Sequence, residues 1–276
     1  MNEPGPSPPA STGNKRREVL AAARSGRRAM LLRIATVLVV VTASLWVTDF
    51  LDGQRLADGI PAIGVMLSEM IPPDFRRIDQ WVQPMLETLA MSVAGTALAI
   101  FASVPIAFLA ARNTTPGPIT YHIARNILNA LRAIPELIMG IVFVAAVGYG
   151  MLPGVLALGL HSIGMVGKFF AEAIEHAHPA PIEAARAAGA SEFQVISHGV
   201  LPQVLPQFAD VTMYRWEYNF RASTVMGMVG AGGIGTELMS SLRLIDYPQV
   251  SAILIVILGA VIVVDGLSNW LRVRLQ

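Results

Sequence analysis

The chain contains no cysteine. That excludes a disulfide framework and any thiolate metal site, and it leaves the redox compartment without a signature. Charge is scarce as well: Asp, Glu, Lys and Arg make up 14% of 276 residues, against about 25% in an ordinary soluble chain. So few charges cannot cover a water-facing surface of this size. Hydrophobic residues reach 54%, and a surface that faces lipid removes the difficulty. A Walker A sequence is missing, as are G-x-S-x-G and H-E-x-x-H, so ATP hydrolysis and those hydrolase chemistries are not expected of this chain. No stretch shows the ten-residue alternation of a barrel strand. No internal repeat is visible either, which disfavours inverted-repeat carriers. What remains is an all-α, polytopic membrane protein, since lipid tolerates only helices and closed barrels.

About 20 apolar residues cross a bilayer as a helix, and six stretches qualify: Met30–Thr48, Thr88–Ala111, Ile134–Gly150, Val155–Ile174, Pro206–Val229 and Val250–Leu271. The segment before them, 1–29, is Pro-rich and then basic (Lys15, Arg16, Arg17, Arg24, Arg27, Arg28), and reads as a disordered cytoplasmic tail. The run from Met30 is long for a signal peptide and ends in no small-x-small site, so an additional, uncleaved first span over 30–48 is expected. Residues 49–87, acidic on balance, read as an extracytoplasmic loop, and 88–274 as the main transmembrane domain. Lys and Arg bias places both termini in the cytoplasm. It also places the loop around Arg112, Arg125 and Arg132 and the loop 175–205 there. Arg243 is the exception, a lone arginine in the outer connection 236–249.

The loop 175–205 parses into two short helices. Pro181 suits a first helical position, 182–188 is alanine-rich, and Gly189 suits the residue after a helix. Ser191 with Gln194 forms a capping box for a second helix reaching about His198, with Gly199 and Pro202 ending it. A helix–turn–helix between two spans is built to dock against something. The sequence here resembles the EAA loop of binding-protein-dependent ABC importer permeases. Glu183, Ala184, Ala185, Gly189, Leu201 and Pro202 fall in register, and Gly199 stands where the family has isoleucine. Leu131–Leu137 (LRAIPEL) and Arg221–Gly235 (RASTVMGMVGAGGIG) are similar to the phosphonate permease group. The resemblance implies a type I ABC importer permease-like core, inserted in the cell membrane and working by alternating access. It implies a coupling surface at Glu183, Ala184, Ala185, Arg186, Ala188 and Gly189. The partners it implies are ABC ATPase subunits that bind the ATP, an extracytoplasmic substrate-binding protein, a second permease copy and membrane lipid, with no nucleic acid and no cofactor in this chain. The substrate would be a phosphonate or related phosphorus oxyanion. A permease for another small solute such as an amino acid is the alternative, and an intramembrane enzyme using His161, Lys168 and Glu217 a more distant one.

Ionisable residues inside spans are costly and face a cavity or a partner. Glu217 and Arg221, at i,i+4, share one face of the fifth span, with Asn219, Ser223 and Thr224 nearby. Lys168 and His161 share a face of the fourth, and Glu136 lies at a depth similar to Lys168. Two readings stand open: these residues line a substrate pathway, or Glu217–Arg221 and Glu136–Lys168 are structural ion pairs. His161 reads as a satisfied core histidine. GAGGIG, Gly230–Gly235, matches a dinucleotide fingerprint but lacks the βα setting. It reads instead as a flexible helix end where glycine permits close approach. His176 and His178, two apart on a helix, point away from each other and hold no metal.

Overall fold

A computed structural model describes residues 12–50 and 52–275. They fall into two compact units, one up to Val65 and one from Met66. All regular structure among the described residues is helical.

In the first unit α1 runs from Thr12 to Val47. The tail expected to be disordered is helical from Thr12 on, and residues 1–11 lie outside the described residues. Leu20, Ala21, Ala22, Ala23 and the surrounding arginines are strong helix formers, so the spanning helix extends back through them. In its apolar part, Met30–Val47, Thr36 and Ser44 each donate to the carbonyl four residues back, at 2.9 and 2.8 Å, as does Thr48 just beyond it at 2.9 Å, which satisfies these hydroxyls within the helix. Asp52 then accepts from the backbone N–H groups of Gln54 (3.0 Å) and Arg55 (3.3 Å). This cap starts α2, Gly53–Glu69. The segment expected as a plain outer loop thus contains a helix. Leu56, Ile60, Ile63 and Leu67 recur on one face of it, and all four are exposed.

The second unit continues with a 3-10 turn, Ile78–Trp81, leading into α3, Val82–Ala110. α4 is Pro118–Ala133 and α5 is Glu136–Val147, bent 83° from it. α6 spans Met151–Glu175. Two short helices follow, α7 (Pro179–Ala187) and α8 (Glu192–Gln194). A π-helical stretch, Val195–Val200, runs into α9, Leu201–Met226. A second π-helical stretch, Gly227–Ala231, precedes α10, Ile234–Arg243, and α11 is Tyr247–Leu275.

α6 is the axis of this unit, with α3, α4, α5 and α9 packed around it. Its apolar window is 61% buried, against 22% for α11. Phe170 of α6 stacks on Phe208 of α9 at 3.8 Å. Four described helices are apolar and long enough to cross a membrane, and the bent α4–α5 pair, taken as one span, makes a fifth. The remaining expected span, Pro206–Val229, lies mostly in α9. At 26 residues, about 39 Å, α9 is long enough, but it is too polar to count by hydropathy. Enclosure by α3, α6 and α11 satisfies those polar groups instead.

α5 alone is 12 residues, about 18 Å, too short for the expected third span. α4 continues it across the 83° bend, and only the two together have the length of a span. Gly164, halfway along α6, lets the α4 backbone come so close that a Cβ there would sit 2.7 Å from the Arg132 nitrogen. The α4 backbone therefore rises into the bundle and breaks at Ile134–Pro135.

Candidate functional site

The loop 175–205 folds locally, for reasons its sequence supplies. His178 caps α7 by accepting from the Ala180 N–H at 3.2 Å, and Pro179, rather than Pro181, opens the helix. Gly189 takes φ +78° after it, a left-handed backbone that favours glycine. The Ser191–Gln194 capping box is present in both directions. The expected stop at Gly199 and Pro202 is not: the chain passes through the π-helical stretch directly into α9. The π register absorbs the hydrogen bond that Pro202 cannot donate. Gly199, the departure from the family pattern, has a structural use. A Cβ there would meet Ile182 Cα at 3.3 Å, so glycine lets α7 lie flat on the base of α9. Gln203 clips the two together, accepting from His178 N–H at 2.9 Å and donating to the carbonyls of His178 and Gly199.

α7 buries none of its residues. Glu183, Ala184, Arg186, Ala188 and Gly189 are exposed and Ala185 is half-buried. Arg186 pairs with Glu192 at 3.3 Å inside the loop. The root of the loop is rigid. Glu175 takes Arg125 at 2.9 Å and the Arg112 N–H at 3.0 Å, and Asn113 donates to the Ile174 carbonyl at 2.6 Å. The Tyr121 hydroxyl, accepting from Arg112, raises that guanidinium's pKa further above its ordinary value.

Between the bundle helices a polar layer crosses the bundle. Arg215, 4% exposed, donates from Nε to Ser162 Oγ at 2.7 Å. Ser162 donates to Asn219 Oδ1 at 3.0 Å, and Asn219 donates to Thr96 Oγ1 at 2.9 Å. The Arg215 guanidinium lies 4.2 Å from the centre of the Tyr218 ring, Nη2 has no partner among the described residues, and no carboxylate pairs with it. Tyr218 donates its hydroxyl to Glu136, whose other oxygen lies 3.4 Å from His161 Nε2. His161 Nδ1 donates to the Ile134 carbonyl at 3.0 Å, across the α4–α5 break. His161 is thus the satisfied core histidine expected.

The expected ion pairs are not the ones formed. Arg221 pairs with Asp265 of α11 at 3.0 Å, not with Glu217. Glu217 pairs with Arg272 at 3.4 Å, and Arg272 also takes Asp210 at 2.9 Å. Packing of α11 along α9 supplies a better partner than the same helix one turn away. Lys168 pairs with Glu172 at 3.6 Å, not with Glu136. Of the seven residues expected on a substrate pathway, Glu136 and Arg221 line one cavity of about 250 Å³, together with Tyr218 and Val225. Asn219 and Ser223 are buried against α3 and α6, and the Ser223 hydroxyl donates to the Thr88 carbonyl at 3.1 Å. Thr224 caps its own helix through the Arg221 carbonyl. Arg215, Tyr218 and Asp265 were missed as site residues. A charge inside an otherwise apolar span is the signal that marks Arg215 and Asp265.

The glycine cluster is a packed reversal. Gly230, Gly232 and Gly233 have φ of +100°, +83° and +78°. A Cβ at Gly235 would run into the Thr224 carbonyl oxygen, so α9 and α10 cross backbone to backbone. The α10 N-terminus is held from α3: Glu87 accepts from Gly233 N–H at 3.1 Å and Thr88 Oγ1 from Ile234 N–H at 2.8 Å. His176 bonds to the Glu172 carbonyl of α6 and His178 to the Ala180 N–H, and no cluster of metal ligands occurs among the described residues.

Known proteins share this architecture. The chain is 62% identical over 240 residues to the phosphite transport system permease protein of Stutzerimonas stutzeri, covering 87% of each. It is 46% identical to the phosphate-import permease protein of Mycolicibacterium smegmatis, over 83% of this chain and 43% of that one. In fold it is similar to the membrane subunit solved in inward-facing conformations of the MetNI methionine ABC transporter, with TM-score 0.64 at 22% identity, over 74% of this chain and 99% of that one. Residues 103–276 match the family described as binding-protein-dependent transport system inner membrane component, and the chain belongs to that family: it is a permease subunit of an ABC importer, not an enzyme.

Proposed function

We propose that this permease carries a small phosphorus oxyanion, phosphite or a phosphonate, inward across the cell membrane. The observation that carries the substrate class is the 62% identity, over 87% of both chains, with a protein named for phosphite transport. The permease works as a pair of identical chains, with ATPase subunits below and a substrate-binding protein above. Both termini face the cytoplasm, which agrees with the Lys and Arg bias. The exposed α7 docks on the ATPase, and its seating on the base of α9 carries motion into the bundle. The pathway runs past the cavity of Glu136, Tyr218 and Arg221, whose wall the Arg221–Asp265 pair holds in place.

The test is ATP-driven uptake of labelled phosphite and methylphosphonate into vesicles containing the permease, its ATPase and its binding protein. Both labels are expected to accumulate in competition with each other. The variant Gly189→Leu, which strains the turn between α7 and α8, is expected to assemble with the ATPase yet lose uptake. Accumulation of neither label refutes the substrate class. Full uptake by the variant refutes the coupling role.

A further inference from the structure

We propose that the cavity around Arg243 is a receiving site for the phosphorus oxyanion at the outer mouth of the permease. The inference rests on the outward placement and substrate class given above. The cavity has a volume of about 370 Å³ and lies between α10 and the glycine reversal, with Tyr149 at its rim. Thr236, Ser240 and Arg243 recur at i, i+4 and i+7, so one face of α10 lines it. No carboxylate contributes to its wall. This sets it apart from the cavity around Arg221, which Glu136 shares.

Arg243 is the exception to the charge bias of the sequence, and the structure makes it an exception again. The other arginines of the outer segments are occupied. Arg55 pairs with Asp49 at 3.1 Å, Arg76 with Asp74 at 3.8 Å, and Arg77 donates to Gln80 at 2.7 Å. Arg243 has no hydrogen-bond or ion-pair partner among the described residues. Ser240 beside it and Tyr149 across the cavity likewise leave their hydroxyls uncommitted. Thr236 differs, because it donates to the Gly233 carbonyl at 2.7 Å. A wall of free donors with one planar cation and no acceptor charge suits a tetrahedral oxyanion, which arginine grips through two N–H groups at once. The wall is also fixed, since α10 is pinned through Glu87 and Thr88, and the Gly150 N–H donates to the Gly230 carbonyl at 3.2 Å. A lipid headgroup phosphate presents the same chemistry, so the test separates it from the free anion.

Met239 lines the cavity, and the chain has no native cysteine. In the complete transporter in nanodiscs, Met239→Cys is reacted with the uncharged reagent methyl methanethiosulfonate, and modification of this chain is read by mass spectrometry. Millimolar phosphite is expected to slow the reaction about fivefold through occupancy of the site, while chloride at equal ionic strength does not. The protection should vanish in Met239→Cys/Arg243→Met and return in part in Met239→Cys/Arg243→Lys. It should be the same in phosphatidylcholine and phosphatidylglycerol discs. Absence of protection, protection that survives Arg243→Met, or protection conferred by phosphatidylglycerol alone would each overturn the proposal. Phosphite uptake by the wild-type transporter is measured alongside. Uptake without protection sinks this site only, whereas no uptake sinks the substrate reading beneath it.

Discussion

The two faces of α9 treat polar groups in opposite ways. Towards α3 and α6, Arg215, Asn219 and Ser223 are buried and joined by hydrogen bonds to neutral partners on other helices. Towards α11, Asp210, Glu217 and Arg221 form ion pairs with Arg272 and Asp265, and the Arg221 and Asp265 side chains are each 44% exposed. A group on the first face has no alternative partner if one is removed, because burial excludes one. On the second face partners are shared, Arg272 serving both Asp210 and Glu217, so the loss of one pair leaves another, while the Arg221–Asp265 pair stands apart. One helix therefore carries both a specific internal frame and an adjustable seam.

The largest effect is expected from breaking the inner frame. Asn219→Leu keeps the volume but leaves the buried Ser162 O–H without its acceptor, at a cost of about 1–3 kcal/mol. A lowered thermal midpoint of the purified protein would show it, and an unchanged midpoint would mean that the frame is not a frame. Arg215→Met gives a sharper comparison. Arg215 forms no direct ion pair among the described residues, and Glu136 nearby keeps Tyr218 and His161 as partners, so stability is expected to change little. Uptake is expected to fall about tenfold or more, since an ionisable residue retained inside a span serves function. Loss of stability and uptake in parallel would instead make Arg215 part of the packing. The smallest effect belongs to Lys168→Met. Its pair with Glu172 is half-exposed and local, worth about 0.2–0.5 kcal/mol, and uptake and stability should both stay near wild type.

How far the sequence revealed this arrangement depended on the range of the forces involved. The docking loop was legible because its determinants are neighbours in the chain. The Ser191–Gln194 box, the left-handed Gly189 and the alanine-rich α7 each act within a few residues. The apolar runs of α1, α3, α6 and α11 were legible for the same reason. The continuation through Gly199 and Pro202 was not, because a π-helical register overrides the usual meaning of a proline. Nor was the rise of α4 into the bundle, which depends on Gly164 meeting it from a different helix. The charges of α9 were legible, but the pairing the spacing offers, Glu217 with Arg221, is not the one formed. An i,i+4 spacing is visible in sequence, whereas the approach of Asp265 and Arg272 arises only when α11 packs along α9.

Arg221 is matched to Asp265 across the seam, and the pathway proposed above depends on that pairing to hold the wall of its cavity. Phosphite uptake by Arg221→Asp, by Asp265→Arg and by the two changes combined tests it most directly, with each complex first checked for assembly with the ATPase. Either single change places like charges together and is expected to depress uptake. The reversed pair is expected to recover at least about half of it, since the coupling of an exposed pair survives exchange of its partners. A reversed pair that assembles normally but transports no better than Arg221→Asp would contradict the account and return Arg221 to the substrate.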